Sequence, residues 1–301
     1  MQPGSRPGEE AIQVKGWFLA RRYLILRRIM QLAILTLFLA GPLFGIWIVK
    51  GNLASSLTFD TLPLSDPLVL LQTLFSGHLS ENAALIGAVI VLGFYLLVGG
   101  RVYCSWVCPV NIVTDTAEWL RRTLRVKGSA NFSQKTRYWF LGAILLVAAV
   151  TGSIAWELIN PVSMVYRGLV FGMGLTWCVV AAIFLLDLFV GRRAWCGHLC
   201  PVGAFYGLLG EVAVLRVSAV RREQCDDCMD CFAVCPEHHV IKPALKGAEK
   251  GIGPLISSGH CTNCGRCIDV CACDVFTFTT RVSNHSSQVL PGIKPKSEVS
   301  S

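Results

Sequence analysis

A chain of 301 residues with 53% hydrophobic and 15% charged side chains is too apolar for an ordinary water-soluble globule. Its formal charge of +8 would suit a nucleic-acid binder, but the basic residues fall between apolar runs, where membrane topology and anionic lipid account for them. No nucleic-acid partner is expected.

In chain order, residues 1–28 form a basic leader. The first uncharged run, 29–49, is longer than the apolar part of a signal peptide and meets Lys50 without a small-residue cleavage site, so it reads as a retained anchor. Three more uncharged runs follow at 83–100, 138–156 and 168–186. Each can cross about 30 Å of hydrocarbon as a helix, and backbone amides in lipid must pair within their own segment, which favours helices over strands. Lys and Arg number six in 1–28, one in 50–82, seven in 101–137, one in 157–167 and twelve from Arg192 onward. Basic loops stay inside, so a bacterial inner-membrane protein with cytoplasmic N- and C-termini is expected.

The membrane part is an internal duplication. Val98-Gly-Gly-Arg-Val-Tyr-Cys-Ser-Trp-Val-Cys-Pro-Val matches Val190-Gly-Arg-Arg-Ala-Trp-Cys-Gly-His-Leu-Cys-Pro-Val at seven of thirteen positions, with an offset of 92 residues. The expected unit is helix, outer loop, helix, cysteine motif. A four-helix membrane domain over 29–203 is followed by a linker, 204–220. An interfacial helix over 202–220 is weakened by Gly203, Gly207 and Gly210. A cluster domain over 221–280 contains a glycine-rich loop at 246–259, and 281–301 reads as a frayed tail.

Thirteen of the fourteen cysteines lie where the topology predicts a reducing compartment, so disulfides are disfavoured. Cys178, inside the fourth run, reads as a buried packing thiol. Cys225, Cys228, Cys231 and Cys235-Pro form one complete bacterial ferredoxin run, and Cys261, Cys264, Cys267 and Cys271 form a second. In such runs three closely spaced thiolates serve one [4Fe-4S] cubane and the fourth reaches the other. The expected sets are therefore Cys225, Cys228, Cys231 with Cys271, and Cys261, Cys264, Cys267 with Cys235. Zinc on paired Cys-x2-Cys knuckles is the plain alternative, but it leaves two cysteines of each eight without a role. Ala272 replaces the usual Pro after Cys271, and Cys273 reads as a bystander. The expected fold class is an all-α membrane bundle of four transmembrane helices with a C-terminal bacterial 2[4Fe-4S] ferredoxin-like α+β domain.

The second signal is the pair of Cys-x3-Cys-Pro motifs, Cys104 with Cys108 and Cys196 with Cys200. If the helices continue through them, a spacing of four puts both thiols on one face and the Pro ends or kinks the helix. A four-thiolate metal site, a dithiol relay and a structural clamp all fit. His198 could assist as ligand or proton carrier, or serve as a polar cap. No dinucleotide turn, phosphate loop or flavin signature supplies a soluble two-electron donor, which points to a donor or acceptor in the membrane. For quinol the candidate proton acceptors are His78, Glu81 and Glu157 near the outer helix ends, flanked by Trp47 and Trp156. Interfacial belts and solvated loops explain the same residue types without chemistry. Asp187 is expected to pair with Arg192 or Arg193.

Leu39-Ala-Gly-Pro-Leu-Phe-Gly-Ile-Trp, Ser56-Leu-Thr-Phe-Asp-Thr-Leu-Pro-Leu-Ser-Asp-Pro, both Cys-x3-Cys-Pro motifs and both cluster runs resemble the NapH family, the membrane ferredoxin-type subunits of periplasmic nitrate reductase systems. The resemblance spans nearly the whole chain. It implies a quinol dehydrogenase subunit that works with a periplasmic iron–sulfur protein of NapG type, a downstream multihaem cytochrome and periplasmic nitrate reductase. It also implies two cytoplasmic [4Fe-4S] clusters and a part for Cys104, Cys108, Cys196 and Cys200 in electron passage. Regulators of nitrous oxide reduction and copper-oxidase assembly factors share the layout but need outer or added domains absent here. The rival functions are metal-centre assembly or maturation and a docking scaffold.

Overall fold

The computed structural model describes residues 7–78, 81–124, 126, 133–172 and 174–281; the tail from 282 lies outside them. Helix α1 (Glu9–Lys15) leads through a 3-10 turn into α2 (Arg22–Phe44), and a three-stranded antiparallel meander follows, β1 (Val49–Gly51), β2 (Ser55–Thr58) and β3 (Leu62–Ser65). Next come α3 (Pro67–Phe75), α4 (Asn82–Val98), a π turn (Tyr103–Val107) and α5 (Val110–Thr123). The second half runs α6 (Thr136–Thr151), α7 (Ala155–Ile159), α8 (Pro161–Phe171), α9 (Gly174–Leu185) with a π turn (Leu186–Val190), a further π turn (Trp195–Leu199) and α10 (Pro201–Val212). Strand β4 (Leu215–Ser218), helices α11 (Asp230–Val234), α12 (Ile241–Lys246) and α13 (Arg266–Asp269), and strand β5 (Thr277–Thr280) complete the chain.

The four apolar runs coincide with helices but not over their full expected length. Leu19–Phe44 is the one described helix long and apolar enough to cross a membrane. The run 29–49 stops at Gly45, whose positive φ of 73° ends α2, and Val49 enters a strand. The run 138–156 stops at Gly152 in the same way. The run 168–186 is split, because α8 ends at Gly172 (φ 65°) and α9 starts at Gly174. Hydropathy sums across such a break, whereas the backbone turns at a residue without Cβ.

The duplication extends beyond the cysteine motifs. Asp66-Pro67 and Asn160-Pro161 each open a short helix, α3 and α8. The Asp66 side chain accepts from Leu68 N at 2.9 Å and Asn160 from Val162 N at 3.1 Å. This is the side-chain N-cap with Pro at the first helical position. The units also cross over: α5, which follows the first motif, packs on α8 and α9 of the second unit, while α10, which follows the second, packs on α4 of the first as well as on α6 of its own. Of the three glycines that weakened the helix at 202–220, Gly203 and Gly210 lie in α10 where a Cβ would come within 3.2 Å of Cys196 O and 2.8 Å of Gly259 O. A Cβ on Gly100 would meet Tyr206 O at 1.9 Å, so the Val-Gly-Gly-Arg turn admits α10 only as glycine.

The C-terminal unit packs Val217 of β4 with Ile241, Ile256, Val275 and Phe276 in one core, next to the antiparallel pair β4 and β5. The leader docks on it. Gly8 N donates to Asp230 Oδ2 (2.7 Å), and Tyr23 N and Leu24 N donate to the two oxygens of Asp269 (3.1 and 3.0 Å). Gly265, at φ 71°, lies under the Tyr23 ring with no room for a side chain.

Candidate iron–sulfur centres and the paired cysteine motifs

The two cysteine runs fold alike, 36 residues apart. Asp227 and Asn263, then Met229 and Gly265, take positive φ at matching places (61°, 46°, 65°, 71°). Left-handed residues inside a tight loop turn successive N–H groups inward, the concavity that suits an anionic cluster. One cavity is lined by Cys225, Cys228, Cys231 and Cys271, with Phe232, Leu245 and Phe276 as apolar walls. Another is lined by Cys235, Cys261, Cys264 and Cys267, with Val217, Val240 and Ile256. Cys273 lines neither. Three cysteines in each set belong to one run and the fourth comes from the other. Among the described residues no three His, Cys, Asp or Glu side chains converge on a single-ion site. A cubane asks for a wider ring, one thiolate on each of four irons, and the two four-thiol cavities fit that demand.

Burial pushes these thiols up, Cys228 to about 11 and Cys231 to about 12, and Cys261 to about 11 despite inward N–H groups and nearby Arg216 and Arg101. Thiolate ligation must therefore expel protons. The folded cluster-free chain holds protons that the unfolded chain releases above about pH 8.5, so its stability is fully present below that value and falls as pH rises toward 11–12. The denaturant midpoint of cluster-free protein is expected to drop between pH 8 and pH 10.5, with a smaller drop for cluster-loaded protein.

The Cys-x3-Cys-Pro motifs are π turns, not continuations of α4 and α9. Cys108 N donates to Tyr103 O (3.0 Å) and Cys200 N to Trp195 O (2.9 Å), five residues back. Each Pro restricts the Cys before it to extended backbone, with ψ 119° at Cys108 and 115° at Cys200. The prolines open α5 and α10 instead of closing a helix. Although α-helical spacing does not apply, the crossover makes the four thiols neighbours. Burial raises all four, and Cys108, Cys196 and Cys200 are raised further by other members of the set.

The first motif rests directly on the second ferredoxin run. Ser105 Oγ donates to Thr262 O (2.8 Å), Trp106 Nε1 to Asn263 O (3.2 Å), and Asn263 Nδ2 to Val98 O (3.1 Å). Arg101, 2% exposed, donates to Glu237 Oε1 (2.7 Å), His260 O (2.9 Å) and Cys196 O (3.1 Å). One guanidinium thus ties both motifs to the flanks of Cys235 and Cys261. Arg137 shares Glu237 at 3.4 Å. The repeat offered a signal for Arg101, since it and Arg193 occupy equal places in Val-Gly-x-Arg.

The outer candidates separate. His78 Nδ1 meets Ser76 Oγ (3.2 Å) at an exposed turn. Glu157 accepts from Ser163 Oγ and from Asn160 Nδ2 (3.2 Å), bracing the start of α8. Glu81 lies at the start of α4 without a side-chain cap bond. Trp47 is exposed, whereas Trp156 is buried in the core and not in a surface belt. The residue missed in the sequence is Asp66. It is buried, accepts from Tyr206 Oη (3.2 Å), and burial pushes it up to about 6, near Glu157. Tyr206 stacks on Tyr103 with centroids 5.0 Å apart at 16°, and Tyr95 meets Tyr206 edge-on at 4.9 Å.

Asp187 does not pair with Arg192 or Arg193. It accepts from Trp195 N (3.0 Å), and the arginines bind Glu118 (2.6 and 2.5 Å), with Arg193 also on Asp115. Cys178 is exposed on α9, contrary to its reading as a buried thiol. His198 lies in the second π turn.

Two four-cysteine cavities built from interleaved runs, joined to a helical region with a candidate membrane span, define an iron–sulfur protein of the ferredoxin type. A 4Fe-4S dicluster domain family matches residues 224–275, and a 4Fe-4S binding domain family matches 83–127 and 170–219, the two duplicated units. The chain is 50% identical to the ferredoxin-type protein NapH of Escherichia coli over 277 residues, 92% of this chain and 96% of that one. It is 57% identical to the methylamine utilization ferredoxin-type protein MauN of Paracoccus denitrificans over 82% of this chain and 86% of the relative, and 53% identical to MauN of Methylorubrum extorquens over 90% and 94%. The chain belongs to this NapH and MauN family of ferredoxin-type electron-transfer proteins. No solved structure matches it.

Proposed function

We propose that the chain is a multi-pass inner-membrane subunit, with both ends cytoplasmic, that oxidises quinol and passes electrons toward periplasmic nitrate reductase through an iron–sulfur partner of NapG type. In this account Cys225, Cys228, Cys231 and Cys271 hold one [4Fe-4S] cluster and Cys235, Cys261, Cys264 and Cys267 the other. Bound clusters supply one-electron carriers. Helices α2, α4, α6 and α9 cross the bilayer, and the exposed Ile29, Val89, Val150 and Leu175 along them support lipid contact. Helix α4, with 17 residues, and α6, with 16, reach about 25 Å at 1.5 Å per residue, which a locally thinned bilayer accommodates.

The observation that carries the proposal is a path of contacts from the outer loop to the ferredoxin unit. Asp66 bonds Tyr206, Tyr206 stacks on Tyr103, Tyr103 adjoins Cys104, and Arg101 reaches His260 beside Cys261. The path joins a proton-accepting carboxyl to the cluster unit, as quinol oxidation coupled to cluster reduction requires. Asp66 is the better proton acceptor for quinol than His78 or Glu157, being buried, near neutral in pKa and bonded to a tyrosine that orients it. In vesicles, Asp66→Asn is expected to slow quinol-dependent reduction about 100-fold while dithionite reduces the same amount of cluster. An unchanged rate overturns this site. Loss of quinol turnover altogether in the unmodified protein favours assembly or maturation. The MauN relatives, as similar as NapH, support a second reading in which the same carrier serves a methylamine-utilization chain.

A further inference from the structure

A cavity of about 300 Å³ opens where the start of α2, α5, the second cysteine unit and the ferredoxin unit meet. Five arginines line it, Arg27, Arg28, Arg122, Arg193 and Arg266, against one carboxylate, Asp115. Asp115 is already engaged by Arg27 (2.7 Å), Arg28 and Arg193. Behind the lining, Glu118 takes Arg192 and Arg193, and Asp269 takes Arg266 at 3.3 Å while accepting two backbone N–H groups. Six guanidiniums therefore share three carboxylates. Arg122 is at ion-pair distance from no carboxylate among the described residues; burial disfavours its charged form first, Glu118 favours it, and Arg192, Arg193 and Arg266 oppose it. Charges of one sign packed into an open hollow call for an anion from outside the chain.

We propose that this hollow binds the phosphate of an anionic phospholipid headgroup and that the lipid braces the ferredoxin unit against the membrane part. The proposal rests on the membrane placement argued above. Three observations favour a lipid over a free anion. The hollow lies at the cytoplasmic end of the candidate span Leu19–Phe44, where basic pockets between helices meet headgroups. Its rim carries Leu24 and Trp119, the latter 59% exposed, an interfacial residue type that faces acyl chain and headgroup together. Its floor is Val234 and Pro236, on either side of Cys235, and Arg122 and Arg192 both donate to Ala233 O (3.4 and 3.2 Å). A phosphate here would bridge α2, α5, Arg193 and the Cys235 segment at once.

Arg27, Arg28 and Arg193 hold Asp115 and are unsuitable for substitution, whereas Arg122 can be replaced. Delipidated, cluster-loaded full-length protein would be titrated by native mass spectrometry with dioleoylphosphatidylglycerol, with dioleoylphosphatidylcholine and with inorganic phosphate. The expected result is retention of the phosphatidylglycerol adduct over the phosphatidylcholine one. Arg122→Gln should lower that affinity about fivefold with iron content unchanged. Equal retention of the two lipids, or an Arg122→Gln variant that binds as the parent does, overturns the site. Displacement of the lipid by inorganic phosphate at equal concentration overturns the lipid assignment in favour of a free anion. Alkaline carbonate washing of vesicles carrying the protein separates the two levels. Release into the wash sinks the membrane placement itself, whereas retention without phosphatidylglycerol selectivity sinks the headgroup site alone.

Discussion

Replacing Cys271 with serine is expected to abolish the cluster signal that also depends on Cys225, not the one that depends on Cys261, although Cys271 stands in the Cys261 run. The reason is geometric. Each run presents three thiols from a tight loop and then enters a short helix, α11 or α13, that carries the fourth to the opposite cavity. Cys271 lines the cavity of Cys225, Cys228 and Cys231, and Val275 N donates to its sulfur at 3.4 Å. Iron should fall from about eight to about four per chain in Cys271→Ser and in Cys225→Ser, with the same signal surviving in both. Cys235→Ser and Cys261→Ser should spare the other signal. If Cys271→Ser and Cys261→Ser remove the same signal, ligation follows sequence order and the crossed assignment is wrong.

Glu237→Ala is expected to be the most damaging single change outside the cysteines. Glu237 is the carboxylate between Arg101 and Arg137, all three buried, and it accepts from Arg101 Nη1 at 2.7 Å. Its removal leaves two guanidiniums facing each other in a buried interface, at a cost of about 3–5 kcal/mol for a broken buried pair. Because Arg101 also holds His260 O and Cys196 O, both the Cys235 cavity and the second motif lose their register. The arginines hold the Glu237 carboxyl below its ordinary range against burial, so the pair should persist as pH falls through the usual glutamate region. Thermal unfolding of cluster-loaded protein, followed through visible absorption, should show an earlier loss in Glu237→Ala than in Glu237→Gln. Equal midpoints for the parent and both variants would remove Glu237 from the interface account.

The two cysteine runs were legible because their cysteines recur at three-residue spacing and the second run repeats the first at a fixed offset. The duplicated Val-Gly-x-Arg and Cys-x3-Cys-Pro segments were legible as sequence, but their shape was not. A π turn differs from an α-helix by one hydrogen-bond step, which hydropathy does not register, and only the restriction that Pro109 and Pro201 place on Cys108 and Cys200 hinted at it. The break at Gly172 was hidden inside an uncharged run. Asp66 and Tyr206 are 140 residues apart, so neither announced the other. The repeated Asx-Pro at Asp66 and Asn160 was the available clue, and it marked a helix start without marking the buried carboxyl. Arg192 and Arg193 looked like natural partners for Asp187, yet α5 offers Asp115 and Glu118 from across the crossover of units, a contact that sequence proximity cannot rank.

The most direct measurement is low-temperature EPR on anaerobically prepared protein in lipid vesicles, with iron quantified, before and after a reduced quinone analogue and then dithionite. The account predicts about eight irons per chain and a cluster signal that appears with the quinol alone. Clusters reduced only by dithionite would contradict it, because their potential would then lie below the reach of quinol and the chain could not draw electrons from the quinone pool.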